Sequence, residues 1–190
     1  QIMYLCGKYL KENGQLDGDT IVTTIMSNMG LYKACEAIGV RTEKTAVGDK
    51  YVAENMMQNH YVLGGEQSGH IIFGKYATTG DGILTSLMVM MAMLDKKLPL
   101  SMLAGEMKKY PQCLKNVVVK DKKEAQENAA VVSAVAKVNA ELNGNGRMLL
   151  RASGTEPKIR VMVEASTDEL CEKYVDQLIN VIKAEGLTAD

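Results

Sequence analysis

Apolar positions in the first part of the chain follow two different periods. Residues 2, 5, 6, 9 and 10 have helical spacing and are followed by Gly14, whereas residues 20–26 form a run rich in β-branched side chains. The pattern predicts further strands at residues 40–47, 61–63 and 70–73, and further helices at residues 28–38, 49–59 and 83–95. A strand, helix, strand order of this kind favours an α/β layered domain, with a mixed sheet and helices.

Three of these elements have distinct sequence signals. Asn28 and Asp81 are placed to cap the helices that follow them. The helix at residues 83–95 is apolar and rich in methionine, which predicts that it is covered on more than one side.

The pattern changes after residue 108. Pro99 and Pro111 flank a predicted short helix at residues 102–109. Beyond it the spacing predicts strands at residues 117–119, 147–151 and 158–165, and helices at residues 124–142 and 168–184. This β-α-β-β-α order predicts a small α+β domain. We therefore expect one domain at residues 1–108, a linker at 109–113 and a second domain at 114–190.

Composition and charge exclude several classes of function. The chain has 190 residues, of which 46% are hydrophobic and 24% charged, and it has no apolar run long enough to span a bilayer. The net charge is −1 and neither half has a basic excess, so we expect no nucleic-acid partner and no membrane partner. The four cysteines lack Cys-x-x-Cys spacing, which predicts reduced thiols and a cytoplasmic location. Because the chain begins at Gln1, without an initiator Met, we expect it to be a piece of a longer protein.

The first candidate site is residues 64–70, with the sequence Gly-Gly-Glu-Gln-Ser-Gly-His. Three glycines in seven residues would let the backbone turn tightly and approach a ligand. Glu66, Ser68 and His70 supply an acceptor, a hydroxyl and an imidazole, a mixture that suits a polyhydroxyl ligand. The alternative is a hairpin loop in which the glycines only satisfy turn geometry.

The second candidate site is residues 151–160, with the sequence Arg-Ala-Ser-Gly-Thr-Glu-Pro-Lys-Ile-Arg. Small residues between two strands expose backbone N–H groups, and Ser153 and Thr155 add hydroxyl donors. Arg151 and Arg160 flank the turn and could bind a phosphate bidentately. The Gly-Lys-Ser/Thr order of a nucleotide P-loop is missing, so ATP is not expected. A strand turn with scattered surface charge is the alternative.

Two acidic segments look like fragments of a metal loop. Residues 17–19 read Asp-Gly-Asp and residues 80–82 read Gly-Asp-Gly, but neither has a third carboxylate close by. Turn and helix-cap roles are favoured, and we predict no metal site in this chain.

Together, about 85 residues apart, the two candidate loops resemble those of the α-D-phosphohexomutase superfamily. Residues 26–28, 47–49 and 77–84 are also similar to family sequence, so the resemblance covers essentially the whole chain. Gln in the first loop and Gly in the second favour the branch that acts on glucosamine phosphates over the branch that acts on mannose phosphates. Lys50 is a departure, because the family often has Arg there and a bidentate contact would be lost.

The resemblance implies a role for each motif residue. Glu66 and Ser68 would bind the sugar in the third domain of the family, and His70 would orient it or assist proton transfer. The phosphate-binding residues of the fourth domain would be Arg151, Ser153, Gly154, Thr155 and Arg160. The nucleophilic serine and the metal loop have no counterpart in this sequence, so the resemblance places both upstream of Gln1 and predicts that the chain is inactive alone.

The activity implied by the resemblance is the interconversion of glucosamine 6-phosphate and glucosamine 1-phosphate, in amino-sugar metabolism that supplies cell-wall precursors. It would use a phosphoserine enzyme, Mg²⁺, and glucosamine or glucose 1,6-bisphosphate as intermediate or activator. The implied partners are the hexosamine phosphate substrate and the N-terminal domains of the same polypeptide; a homodimer is also compatible. Two alternatives stay open: the same part of a phosphomannomutase or phosphoglucomutase, and a sugar-phosphate binding module without catalysis.

Overall fold

The computed structural model describes residues 1–189, and the chain divides into two units, the second of which begins at Tyr110. The elements of the first unit are α1 (Ile2–Glu12), β1 (Thr20–Thr24), α2 (Met29–Ala37), β2 (Arg41–Thr45), α3 (Asp49–Asn59), β3 (Leu63–Gly65), β4 (Ile71–Phe73), α4 (Gly82–Lys96) and α5 (Leu100–Gly105). They occur in the alternating order that the hydrophobic pattern predicts.

The sheet of the first unit has the order β2-β1-β3-β4, with β1 parallel to β2 and β3, and β4 antiparallel. On one face Ile21, Leu63 and Phe73 pack with residues of α1, α2 and α4. On the other face Val22 packs with Val52 of α3. The sheet is therefore mixed and covered by helices on both faces, which confirms the α/β layered fold.

Polar side chains begin two of the helices in the first unit. The Asn28 side chain accepts a hydrogen bond from the Gly30 N–H at 3.0 Å, and Asp81 accepts one from the Leu84 N–H at 2.9 Å. Such bonds satisfy N–H groups that have no partner inside the helix. Both predicted caps are confirmed.

Strand β3 differs from the prediction, which placed it at residues 61–63 and left the glycines to a turn. It spans Leu63–Gly65, so two of the motif glycines are inside the sheet. A Cβ at Gly64 would lie 2.5 Å from Met56 Sδ and 2.8 Å from Val52 Cγ1. Gly64 is thus required by the close packing of α3 on the sheet and not by a turn.

Helix α4 is covered on one face only, so the prediction of a helix enclosed on several sides is wrong. Met88, Val89 and Ala92 are buried, whereas Ile83 and Leu94 are both 77% exposed. The other exposed apolar side chains on α4 are Leu87, Met90 and Met91. A high methionine content indicates an apolar helix but not how many of its faces are buried. Among residues 1–189, no helix is long and apolar enough to cross a bilayer.

The second unit has a three-stranded antiparallel sheet in the order β5-β7-β6. Its elements are β5 (Gln112–Val118), α6 (Lys122–Glu127), α7 (Ala129–Leu142), β6 (Arg147–Ala152), β7 (Lys158–Glu164) and α8 (Asp168–Ala184). Val161 and Val163 of β7 share a buried cluster with Val138 of α7 and Leu178 of α8. This arrangement confirms the small α+β fold and the order of its strands, with two helices where one was predicted between β5 and β6.

The predicted single helix at residues 124–142 is two helices, α6 and α7, which meet at Asn128. Asn128 has extended backbone angles, φ −57° and ψ 127°, and its side-chain oxygen accepts hydrogen bonds from the N–H groups of Ala130 and Val131. An asparagine cap competes with helix continuation, because its oxygen replaces the intrahelical partner of these N–H groups.

Candidate functional site

The first candidate loop lies at the carboxyl ends of the parallel strands of the first sheet. Glu66 directly follows β3, and β1 lies between β2 and β3. The connection from β1 to β2 therefore runs to one side of β1. The connection from β2 to β3 crosses back to the other side of β1. Ligands of open α/β sheets bind outside the carboxyl ends of the strands at such a point of divergence. The topology thus places the loop where a ligand site is expected.

Glu66 is held in place by the segment that precedes α3. Its Oε1 accepts a hydrogen bond from the Gly48 N–H at 3.0 Å. The Glu66 N–H donates to the His70 carbonyl at 2.9 Å, and the Gly69 N–H donates to the Glu66 carbonyl at 3.1 Å, which closes the turn. Gly69 has φ 103°, a conformation that glycine tolerates best. The Glu66 carboxylate is therefore fixed at both backbone and side chain.

Ser68 and His70 lie in the same turn as Glu66, and both are exposed. Ser68 Oγ is 3.4 Å from His70 Nδ1, at the long end of hydrogen-bond distances. A Cβ at Gly80 would lie 3.4 Å from His70 Cδ2, so the turn before α4 approaches the imidazole ring closely. The two predicted sugar-binding residues, Glu66 and Ser68, therefore lie in one loop with His70. Lys50, in contrast, is an exposed residue in the first turn of α3, 3.7 Å from Glu54.

The second candidate loop is the tight connection between β6 and β7. Arg151 and Arg160 face each other in the register of these strands, and the Ser153 N–H donates to the Lys158 carbonyl at 2.8 Å. Directly opposed residues of an antiparallel pair project from the same face of the sheet, with their Cβ atoms about 4.5–5.5 Å apart. The structure therefore brings the two predicted phosphate-binding arginines side by side.

The two guanidinium groups repel each other, and the Nε atom of each is buried. Within residues 1–189, the Nε–H groups of Arg151 and Arg160 are buried and have no hydrogen-bond partner. Burial lowers the pKa of Arg151 below its ordinary value, and the positive charge of Arg160 lowers it further. Arg147 is on the same face of the sheet, four positions before Arg151 in β6. Its Nε donates a hydrogen bond to Glu164 Oε2 at 2.7 Å. Of these arginines, only Arg151 and Arg160 leave an Nε–H without an acceptor, which is the arrangement an anion would complete.

The hydroxyl groups of this loop differ in their exposure. Ser153 is only 2% exposed, and its Oγ accepts a hydrogen bond from the Glu156 N–H at 3.3 Å. Gly154 and Thr155 are exposed. Lys158 donates to Glu156 at 2.6 Å, and this bond lowers the pKa of the Glu156 carboxyl. Ser153 thus stabilises the turn from inside, while Gly154 and Thr155 are accessible to a ligand.

Lys122 is a further residue at this loop that the sequence pattern did not indicate. Its Nζ donates to the Ser153 carbonyl at 2.9 Å, across 31 positions of the chain. The neighbouring Val119 N–H donates to the Pro157 carbonyl at 3.1 Å. The segment between β5 and α6 therefore contacts the loop at two points.

No metal centre is formed by the part of the chain that the structure describes. Residues 1–189 have no group of three or more His, Cys, Asp or Glu side chains that could hold a metal ion. Asp19 pairs with Lys11 at 3.1 Å, and Asp81 caps α4. These residues do not fit a magnesium site, and no chemical step is assigned to a metal bound by them.

Comparison with models of protein families shows which family this chain belongs to. The family model for phosphoglucomutase/phosphomannomutase, alpha/beta/alpha domain III, matches residues 1–110. The chain belongs to the phosphoglucomutase/phosphomannomutase family. The model for the C-terminal domain of the same family matches residues 114–181.

Relatives of this phosphohexomutase chain include two bacterial phosphoglucosamine mutases. Those of Geobacillus kaustophilus and Lachnospira eligens are each 58% identical to it over 185 residues, which is 97% of this chain. The matched region is 41% of either relative, so the chain spans less than half the length of the curated relatives that it matches.

Solved structures of phosphohexomutases have the same fold at low sequence identity. N-acetylphosphoglucosamine mutase of Aspergillus fumigatus matches with a TM-score of 0.80 and 19% identity, over 97% of this chain and 43% of that chain. A phosphoglucomutase/phosphomannomutase family protein of Burkholderia thailandensis matches with a TM-score of 0.72 and 18% identity, over 100% of this chain and 42% of that chain.

Proposed function

We propose that the chain is the C-terminal part of a mutase that interconverts glucosamine 6-phosphate and glucosamine 1-phosphate, and that its role is to bind the substrate. The proposal is carried by the paired guanidinium groups of Arg151 and Arg160, whose buried Nε–H groups have no acceptor within residues 1–189. The choice of glucosamine as the sugar is supported by the 58% identity to enzymes named phosphoglucosamine mutase.

In this proposal the loop between β6 and β7 holds the phosphate that is not being transferred. Phosphoryl transfer depends mainly on positioning and charge stabilisation, so a substrate with one reacting phosphate must be fixed at its other end. Arg151 and Arg160 supply the two guanidinium groups, and the accessible residues Gly154 and Thr155 supply a backbone N–H and a hydroxyl. Ser153 keeps the turn closed through its contact with the Glu156 N–H.

The sugar ring is assigned to the loop after β3. The Glu66 carboxylate accepts hydrogen bonds from ring hydroxyls while Gly48 keeps it in place, and Ser68 adds a hydroxyl. His70 orients the sugar, or exchanges a proton with the hydroxyl that attacks. Two poses of a 1,6-bisphosphate present similar hydroxyls to this loop, so one set of contacts serves both halves of the reaction.

The remaining parts of the reaction are assigned to the N-terminal domains of the longer relatives. These would contribute the phosphorylated serine and the ligands of Mg²⁺, which neutralises charge on the reacting phosphoryl group when it is bound. The proposal is supported by fungal N-acetylphosphoglucosamine mutase structures in complex with glucose 1,6-bisphosphate, and with GlcNAc-6P and magnesium. We place the activity in the cytoplasm, in the supply of amino-sugar precursors for the cell wall.

Substitution of Arg151 tests the proposed phosphate site. Arg151→Ala is expected to weaken binding of glucosamine 6-phosphate to the 190-residue chain by about 10-fold or more, because a hydrogen bond to a charged group contributes about 1.5–3 kcal/mol. Isothermal titration calorimetry measures the affinity.

Arg41→Ala is the control for this test, because Arg41 lies in β2 of the first unit and donates to the Gly18 carbonyl. It should leave the affinity unchanged. Equal affinities of Arg151→Ala and the unsubstituted chain would contradict the phosphate assignment. Tighter binding of mannose 6-phosphate than of glucosamine 6-phosphate would overturn the choice of sugar.

A further inference from the structure

We propose that Lys122 is a positioning residue of the phosphate loop. Its ammonium group holds the Ser153 carbonyl and thereby sets the direction of the next backbone N–H, that of Gly154. This inference rests on the proposed function and adds to it a residue outside both motifs.

The contact joins distant parts of the second unit. Lys122 is the first residue of α6, and its Nζ lies 2.9 Å from the Ser153 carbonyl oxygen in a partly buried position. The N–H of Ser153 donates to the Lys158 carbonyl, and its Oγ accepts from the Glu156 N–H. With the Lys122 bond, all three polar groups of Ser153 have a partner, so its conformation is fully specified.

Peptide geometry converts this contact into an effect on the ligand. The Ser153 carbonyl and the Gly154 N–H belong to one planar peptide unit, in which they point in opposite directions when the bond is trans, and the chain has no cis peptide among its described residues. A cation fixed on the carbonyl side therefore keeps the N–H directed to the opposite side. It also polarises the peptide and strengthens that N–H as a donor.

Local helix preferences do not explain this lysine. The N-terminal end of a helix favours acidic side chains, and a lysine there is disfavoured by the helix dipole. The cap of α6 is supplied by Asp121, whose side chain accepts from the Glu124 N–H at 2.8 Å. Lys123 is next to Lys122 in the same turn but is exposed. Holding the long side chain of Lys122 in one conformation also costs entropy, which its contact with Ser153 must offset.

Lys123 provides a matched control, because Lys123→Met removes the same charge from the same turn of α6. We expect Lys122→Met to weaken binding of glucosamine 6-phosphate by about 10-fold, the effect of losing one charged hydrogen bond. Lys123→Met should leave the affinity within about twofold. Lys122→Arg retains a cationic donor and should recover most of the loss. Isothermal titration calorimetry on the 190-residue chain measures all three.

An NMR measurement separates positioning from general stability. Addition of inorganic phosphate should shift the Gly154 amide proton resonance downfield in the unsubstituted chain. In Lys122→Met this shift should be much smaller, while the melting temperature equals that of the unsubstituted chain. If Lys122→Met is not folded by circular dichroism, Lys122→Gln replaces it. Its neutral amide is one bond shorter than the lysine side chain and does not reach the Ser153 carbonyl with a charge, so the same loss of affinity and of the resonance shift is expected.

The outcomes distinguish this inference from the proposed function. Loss of binding in Arg151→Ala together with full binding in Lys122→Met, or in Lys122→Gln where it replaces that variant, would overturn the role of Lys122 and leave the phosphate site in place. Unchanged binding in both Arg151→Ala and the Lys122 variant would overturn both. Equal losses in Lys122→Met and Lys123→Met would assign the effect to net charge and also overturn the positioning role.

Discussion

Gly64 and Gly65 lack side chains for reasons of packing. A Cβ at Gly64 would lie within 3 Å of Met56 and Val52, and one at Gly65 would lie 2.6 Å from the His70 carbonyl oxygen. Neither has a positive φ, whereas Gly69 does. Of the three glycines in the motif, only Gly69 is required by the conformation of the turn. The other two let a helix and a neighbouring strand approach the backbone.

Gly64→Ala should therefore destabilise the chain by about 1–3 kcal/mol, the usual cost of overpacking a closely packed site. Urea unfolding followed by circular dichroism measures this change. Gly105→Ala is the control, because a Cβ at Gly105, the last residue of α5, has no neighbour within 4 Å among the described residues. It should leave the free energy of unfolding unchanged or raise it by up to about 1 kcal/mol. Equal unfolding midpoints for the two variants would contradict the packing explanation.

At the scale of the element, Asn128 divides one apolar stretch into α6 and α7. It ends α6 with its backbone N–H, which donates to the Glu124 carbonyl at 2.9 Å, and begins α7 with its side chain. Helix α6 contacts β6 and β7 and helix α7 contacts β6, so the division lets both helices lie against the sheet. One polar residue thus separates two helices in the segment before the loop between β6 and β7.

Asn128→Ala should destabilise the chain by about 0.5–2 kcal/mol, because the N–H groups of Ala130 and Val131 lose their shared acceptor. Asn128→Ser keeps a capping oxygen and should restore most of that stability. Thermal and urea unfolding of the two variants measure the difference. The capping role would be disproved by an Asn128→Ala variant as stable as Asn128→Ser.

The sequence predicted features that depend on local chemistry. The caps at Asn28 and Asp81 and the order of the elements follow from short-range patterns, and the structure confirms them. The contacts of Gly48 with Glu66 and of Lys122 with Ser153 join residues 18 and 31 positions apart, so no local pattern could indicate them. The exposed face of α4 could not be predicted either, because periodicity shows that a helix is apolar but not what its faces contact.

At the scale of the whole molecule, each unit has its own hydrophobic core. The first is built around Ile21, Leu63 and Phe73, and the second around Val161, Val163 and Leu178. The proposed sugar-binding residues belong to the first unit and the proposed phosphate-binding residues to the second. Neither unit by itself has both sets of proposed residues.

The 190-residue chain is expected to show no mutase turnover with glucosamine 6-phosphate, even with Mg²⁺ and glucose 1,6-bisphosphate present. The nucleophilic serine that the resemblance implies has no counterpart in the sequence, and residues 1–189 form no metal-binding cluster. A coupled assay for glucosamine 1-phosphate measures turnover. The full-length Geobacillus kaustophilus relative is the positive control, and product formed by the 190-residue chain would contradict this prediction.

The opposed arginines at the end of β6 and β7 also limit how stable the free second unit can be. Two like charges with buried Nε–H groups raise the free energy of the folded state, and no acceptor for these N–H groups occurs among the described residues. An apolar pair at positions 151 and 160 would remove that cost together with the proposed anion site. Under the proposed function, a bound phosphate ester would supply the missing acceptors and stabilise the folded second unit by mass action.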